Sequence, residues 1–325
     1  MRNKDIEKFN NVLEYICLDL KEPLNALPSK YKTKIEEIRL RIGCPLIISF
    51  EGKDYFLDLQ GNPTTNYDKC IKVNKENIIK TFKLISNYSI YAFEEEIRNG
   101  FITLKGGHRV GITGKVIYRG NIIDTIRNIS SLNIRIAREK IGVSTNILEF
   151  IISPYNRSIY NTLIISPPQC GKTTLLRDII RNLSDGYCLL NKGFKIGVID
   201  ERSELAGMYN GIPQHDIGLR TDVLDGCNKK DGTIMLLRAM SPDIIAMDEI
   251  GSTSDVEAIH EILKAGVKVL ATVHGKDIQD LVSRRSLNVL IEDKIFERYI
   301  FLDNSKGVGT IKEILEGENF TSILM

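Results

Sequence analysis

The residues most able to do chemistry form the run Ser166-Pro167-Pro168-Gln169-Cys170-Gly171-Lys172-Thr173-Thr174, which follows the apolar Leu163-Ile164-Ile165 and precedes Leu175-Leu176-Arg177-Asp178-Ile179-Ile180. A buried strand, a tight loop ending in Gly-Lys-Thr and a helix form the setting of a phosphate-binding loop. Backbone N–H groups and the positive helix end can wrap nucleotide phosphates. Lys172 can reach the β- and γ-phosphates, and the Thr173 hydroxyl can hold Mg²⁺. The expected ligands are therefore ATP and Mg²⁺, with residues 166–174 as the cradle. Ser166 stands where the pattern usually has glycine, so nucleotide binding is expected to survive, with reduced affinity.

A second constellation supplies acids. Asp243-Ile244-Ile245-Ala246-Met247-Asp248-Glu249 reads as a buried strand ending in two carboxylates. Asp248 is suited to the Mg²⁺ shell and Glu249 to polarising an attacking water, because phosphoryl transfer needs positioning and charge neutralisation. Another apolar strand, residues 268–273, delivers Thr272 and His274 at its C-terminal end. Strand C-termini are where ligands bind in open α/β sheets, so either side chain could sense a γ-phosphate. Ile199-Asp200-Glu201-Arg202-Ser203-Glu204 also ends a strand, and one of its acids, Glu201 among them, could approach metal or water; a solvated loop explains the same pattern equally well.

These residues require elements to hold them. Strands at 163–166, 195–200, 244–248 and 268–273 alternate with helical stretches at 172–183, 233–240, 255–265 and 277–291, an α/β pattern that predicts a parallel sheet covered on both faces. The segments RYIFLD and GVGTIKEIL fit a closing hairpin. Earlier in the chain, Phe9, Val12, Leu13, Ile16 and Leu20 keep helical spacing up to Pro23; residues 36–59 read as three antiparallel strands; helical patterns cover 76–87 and 89–98; more strands follow. A smaller α+β domain over 1–145 is thus expected to precede the ATPase-like domain over 146–325.

The 325 residues carry 44 Lys plus Arg against 42 Asp plus Glu, and a net charge of +2 names no nucleic-acid or membrane partner. Six scattered cysteines (Cys17, Cys44, Cys70, Cys170, Cys188, Cys227), with no C-x-x-C pair, argue for isolated thiols rather than disulfides or zinc. Neither a transmembrane run nor a signal-peptide pattern is visible, which makes a cytoplasmic address the expectation.

Arg98-Asn99-Gly100-Phe101-Ile102-Thr103, Gly106-Gly107-His108-Arg109-Val110-Gly111, the Asp200–Glu204 segment and Pro242-Asp243-Ile244-Ile245 through Glu249 together resemble the stage III sporulation AA family of endospore-forming bacteria. More distantly, Leu237-Arg238-Ala239-Met240-Ser241-Pro242-Asp243 and Ala271-Thr272-Val273-His274-Gly275 look like segments of type II and type IV secretion ATPases. The resemblance implies a RecA-like domain, with Glu249 as catalytic glutamate, His274 as the histidine-box residue and the acids at 200–204 as an aspartate box. It also implies a homo-oligomeric ring, a hexamer, peripheral to the membrane on the mother-cell side. There it would work with integral-membrane components of a channel to the forespore.

Between Lys105 and Lys140 lie eight Lys or Arg and two acids, a local +6 hidden in the balanced total. Arg127, Arg135 and Arg138 are candidate arginine fingers toward a neighbouring subunit; outward-facing strand arginines explain the same charge. A single-stranded nucleic-acid-binding ATPase is the rival reading, disfavoured by the few aromatic residues available for stacking. A nucleotide-binding scaffold with weak hydrolysis, resting on Ser166, is opposed by Glu249.

Overall fold

The computed structural model describes residues 2–154, 157–186 and 192–324. The chain divides into two compact units, Met1–Arg138 with Gly207–Gln214, and Glu139–Ala206 with His215–Met325. The division thus falls earlier than residue 145. The reason is visible: the N–H groups of Gly142 and Ser144, and the Ser144 hydroxyl, donate to the Asp178 carboxylate, which binds this segment to the second unit.

In the first unit, helices α1 (Arg2–Leu13), α2 (Leu18–Ala26) and α3 (Ser29–Lys32) precede strands β1 (Glu37–Arg41), β2 (Ile47–Phe50), β3 (Lys53–Leu57) and β4 (Pro63–Thr64). Helices α4 (Lys75–Ile85) and α5 (Glu94–Arg98) then lead to β5 (Phe101–Thr103), β6 (Arg109–Arg119) and β7 (Ile122–Arg135). All seven strands form one antiparallel sheet in the order β4-β3-β2-β1-β7-β6-β5. Alternation explains its faces: Ile38 and Leu40 of β1 are buried, while Glu37, Arg39 and Arg41 are only partly covered. Helix α4 starts where Asn74 and Asn77 cap each other and buries Ile78, Phe82 and Ile85.

The expected first helix is two helices, and Pro23 lies inside the second. Backbone bonds from Tyr15 to Val12 and from Ile16 to Leu13 tighten the turn after α1, so the apolar residues keep facing inward. The Cys17 N–H then leaves the helix for the Thr81 hydroxyl, 3.2 Å away.

The second unit opens with α6 (Leu148–Ile151) and the short pair β8 (Ile152–Ser153) and β9 (Ser158–Ile159). Next come β10 (Thr162–Ser166), α7 (Lys172–Asp185), β11 (Ile196–Asp200), β12 (Thr221–Asp225), α8 (Lys229–Ala239), β13 (Ile244–Met247), α9 (Thr253–Lys264) and β14 (Lys268–His274). Helices α10 (Ile278–Val282) and α11 (Arg285–Glu292) precede the closing hairpin β15 (Arg298–Asp303) and β16 (Thr310–Glu316). The sheet order is β12-β11-β13-β14-β10-β15-β16, parallel throughout except for the last pair. Strands β10, β11 and β13 are buried along their whole length, as apolar strands inside a two-sided layer must be. Strand β12 is unforeseen: Thr-Asp-Val-Leu-Asp is mostly polar because it forms a partly exposed edge. Its parallel pairing with β11 extends the sheet.

Cys17, Cys44, Cys70, Cys170 and Cys227 are free thiols, and Cys188 lies outside the described residues. Among the described residues, no helix is long and apolar enough to cross a membrane.

Candidate active site

The C-terminal ends of β10, β13 and β14 meet at one edge of the second unit's sheet. Ser166 pairs in register with His274, and the Gly275 N–H donates to the Ser166 carbonyl at 3.1 Å. The loop then turns through two left-handed residues, Gln169 (φ 61°) and Gly171 (φ 89°). At Gly171 a Cβ would lie 3.2 Å from Val308 and 3.3 Å from Gly309, so glycine is required there. Ser166, by contrast, ends a strand in ordinary extended backbone, where a side chain costs no strain. Its hydroxyl donates to the Pro167 carbonyl at 2.8 Å, folded back within the loop. Cys170 is buried, with its thiol 3.6 Å from the Pro168 carbonyl.

Lys172 and Thr173 open α7. The Lys172 ammonium lies 3.4 Å from the Ser166 and Pro167 carbonyls and 2.9 Å from His274 Nδ1. Burial pulls it below the usual lysine range, opposed by the charges of Asp248 and Glu249. An ammonium can only donate, so Nδ1 must accept and the His274 proton sits on Nε2. From there it donates to Glu249 Oε1 at 2.9 Å.

The acids are held just as definitely. The Thr173 hydroxyl donates to Asp248 Oδ2 at 2.7 Å, and the Thr272 hydroxyl donates to Oδ1. Thr272, fully buried, also accepts the Glu249 N–H at 2.9 Å. It therefore fixes both acids from below. Glu249 is left-handed, with φ 51°, a strained conformation for a residue other than glycine and one that gathers at functional sites. Its second oxygen takes a 2.8 Å bond from Arg202 Nη1.

The 200–206 segment divides its acids by role. Asp200 is buried and accepts the N–H groups of Glu204 (2.8 Å), Leu205 (3.1 Å) and Ala206 (2.8 Å). Burial pushes its carboxyl up, while those donors pull it down. Asp200 thus shapes the loop. Glu201 lines the cleft formed by Asp200, Glu201, Arg202, Glu204, Lys229, Asp248 and Glu249, but it is paired with the buried Lys229 of α8. Three contributors went unforeseen in the sequence: Arg202, Lys229 and Arg177. Arg177, from α7, donates to the Leu205 and Glu204 carbonyls at 2.6 Å. For Arg177 and Lys229 the one available signal was a basic residue on an otherwise buried helix face; Arg202 lies in the exposed loop after β11 and carried none.

The donor set suits a magnesium nucleotide. A hydroxyl and a carboxylate oxygen face each other at Thr173 and Asp248, and the buried Lys172 ammonium has no carboxylate within ion-pair distance among the described residues. The three arginines considered for a neighbour's nucleotide belong to the first unit. Arg138 donates to the Thr33 and Ile35 carbonyls, Arg135 pairs with Glu37 at 3.0 Å, and Arg127 is exposed on β7.

Residues 6–320 match the family model described as sporulation stage III, protein AA. The chain belongs to this family. The Bacillus subtilis (strain 168) stage III sporulation protein AA is 42% identical over 307 residues, covering 94% of this chain and 95% of that one. A Porphyra purpurea protein, uncharacterized protein ycf45, is 28% identical over 320 residues, spanning 96% of this chain and 48% of the relative. Among solved structures, the Legionella pneumophila ATPase DotB superposes with a TM-score of 0.55 at 16% identity, over 92% of this chain and 80% of that one. The pilus retraction motor PilT with bound ADP gives 0.54 at 15% identity, over 88% and 77%. The chain thus shares the fold of these two proteins, a RecA-like unit whose β10–α7 connection holds Gly171-Lys172-Thr173.

Proposed function

We infer that the protein hydrolyses ATP and uses the energy to drive assembly of, or transport through, a secretion-like channel between mother cell and forespore. The observation that carries the hydrolytic part is the meeting of Thr173, Asp248 and Glu249 at the mouth of the phosphate loop, with both Glu249 oxygens already oriented. Bound there, Mg²⁺ held by Thr173 and Asp248 would supply charge neutralisation at the β- and γ-phosphates. Residues 166–174 bind and orient the phosphates, Lys172 presents its charge to them, and Glu249 accepts a hydrogen bond from the attacking water and aims its lone pair. His274 joins Lys172 to Glu249 and so connects phosphate occupancy to the water-orienting acid.

The family and fold support the remainder: a homo-hexameric ring on the mother-cell side, cytoplasmic and peripheral to the membrane, working on integral-membrane partners. Arg127 keeps an exposed guanidinium suited to a neighbouring subunit's phosphates, whereas Arg135 is paired with Glu37 and Arg138 is committed to two carbonyls of its own unit.

Steady-state turnover of the full chain, with and without single-stranded DNA, together with its mass in Mg-ATP, tests this reading. Lys172→Ala is expected to abolish tight nucleotide binding, and Glu249→Gln to bind nucleotide while losing turnover. Unchanged turnover in Glu249→Gln would sink the hydrolytic assignment. Strong DNA stimulation without ring formation would favour a nucleic-acid motor instead.

A further inference from the structure

We propose that Arg202 is a positioning residue for Glu249, holding its carboxylate at the angle from which it orients the attacking water. The inference rests on the ATPase reading and adds to it a residue and a mechanism.

Glu249 needs two anchors because a carboxylate on a single bond can still rotate. His274 holds Oε1 at 2.9 Å and Arg202 holds Oε2 at 2.8 Å. With one partner on each oxygen, rotation about the last side-chain bond costs a charge-assisted hydrogen bond in either direction. Lone pairs remain on both oxygens to accept from water.

Arg202 is itself delivered by a loop with little freedom. Asp200 draws the N–H groups of residues 204, 205 and 206 onto its buried carboxylate. Arg177 grips the carbonyls of residues 204 and 205 from the helix that begins at Lys172. Ser203, left-handed at φ 54°, reaches Asp225 at the end of β12. The Gly226 N–H closes the loop onto the Asp200 carbonyl at 3.0 Å. Every backbone tie bypasses Arg202, which projects from the apex of this frame toward Glu249. The nearest competing acid in sequence, Glu201, is neutralised by Lys229 and does not draw the guanidinium away.

A folding role does not account for the pair. The Arg202 side chain is 62% exposed, and ion pairs that accessible contribute at most about 1 kcal/mol to stability. Its removal should leave a folded protein with Glu249 held on one oxygen only, by His274.

The test is a double-mutant cycle on the full chain, reading kcat and KM for Mg-ATP and, separately, the affinity for a fluorescent ATP analogue. Arg202→Ala is expected to lower kcat roughly ten- to hundredfold, the scale of a misplaced catalytic group, with affinity changed less than about threefold. Arg202→Lys should recover part of the loss, since an ammonium can hold one oxygen. Arg202→Ala combined with Glu249→Gln should be no slower than Glu249→Gln alone. Equal proportional losses in both backgrounds, a kcat within about twofold of wild type, or a gain in kcat would each overturn the proposal while leaving the ATPase reading intact. Full turnover in Glu249→Gln would overturn both together.

Discussion

His108 is fully buried in the first unit; its Nδ1 accepts the Ala137 N–H at 3.1 Å, and its Nε2 has no partner among the described residues. The first of the two glycines before His108 is required by its packing: at Gly106 φ is 90°, and a Cβ there would sit 2.8 Å from His108 Nε2. The Gly-Gly-His-Arg segment is therefore a packing device, although in the sequence it serves as a family mark. Burial lowers the imidazole pKa to about 4 from 6.5. The folded state favours the neutral ring, so its contribution is complete above the unfolded pKa and is lost as pH falls from about 6.5 to about 4. The full loss is roughly 3 kcal/mol, with about 2 kcal/mol of it gone by pH 5. Denaturation midpoints of wild type and His108→Gln should converge as pH drops through that window; parallel curves would show that His108 is not the titrating group.

At the scale of elements, the segment after β11 has one role in the acids that shape it and another in the side chains that line the cleft. Asp200→Ala strands three N–H groups, two of them buried, and a loss of roughly 3 kcal/mol is expected in urea denaturation. Turnover should fall as well, because the frame under Arg202 loosens. A stability change below about 1 kcal/mol would mean that the N–H groups find other acceptors. The same segment shows what a sequence makes legible. Strand β10, its loop and α7 are readable because a buried apolar run must precede Gly-Lys-Thr, and β13 and β14 because each is apolar up to a polar terminus. The division of labour between Asp200 and Glu201 is not readable, since it depends on Arg177 and Lys229, 28 positions away in the chain from Leu205 and Glu201. Likewise β12 hides because an edge strand can be polar, and the break after α1 hides because its tightened turn keeps the apolar phase.

Across the whole molecule, the basic stretch from Lys105 to Lys140 has separable parts. Arg138 and Arg135 are engaged inside the first unit, while Arg127 is exposed. If exposed arginines serve a neighbouring subunit, Arg127→Glu should lower ATP-dependent ring mass and turnover together, with nucleotide affinity kept. Ring mass and turnover unaltered by Arg127→Glu would leave that residue an ordinary solvated charge. Arg138→Ala should instead destabilise the first unit, because its guanidinium ties the Thr33 and Ile35 carbonyls.

Gly207–Gln214 belongs with the first unit although both flanking segments belong with the second. Gln214 Oε1 accepts the Gly106 N–H at 2.7 Å, and Tyr209 bonds to the Tyr15 hydroxyl. A gene fragment ending at residue 138 therefore encodes a first unit with a piece of its own surface missing. A fragment starting at residue 139 carries that piece with nothing to fold against. Protease nicking near residue 139 alone should leave the two products joined on a non-denaturing column, since the backbone passes between the units three times and one cut opens only one of those passages.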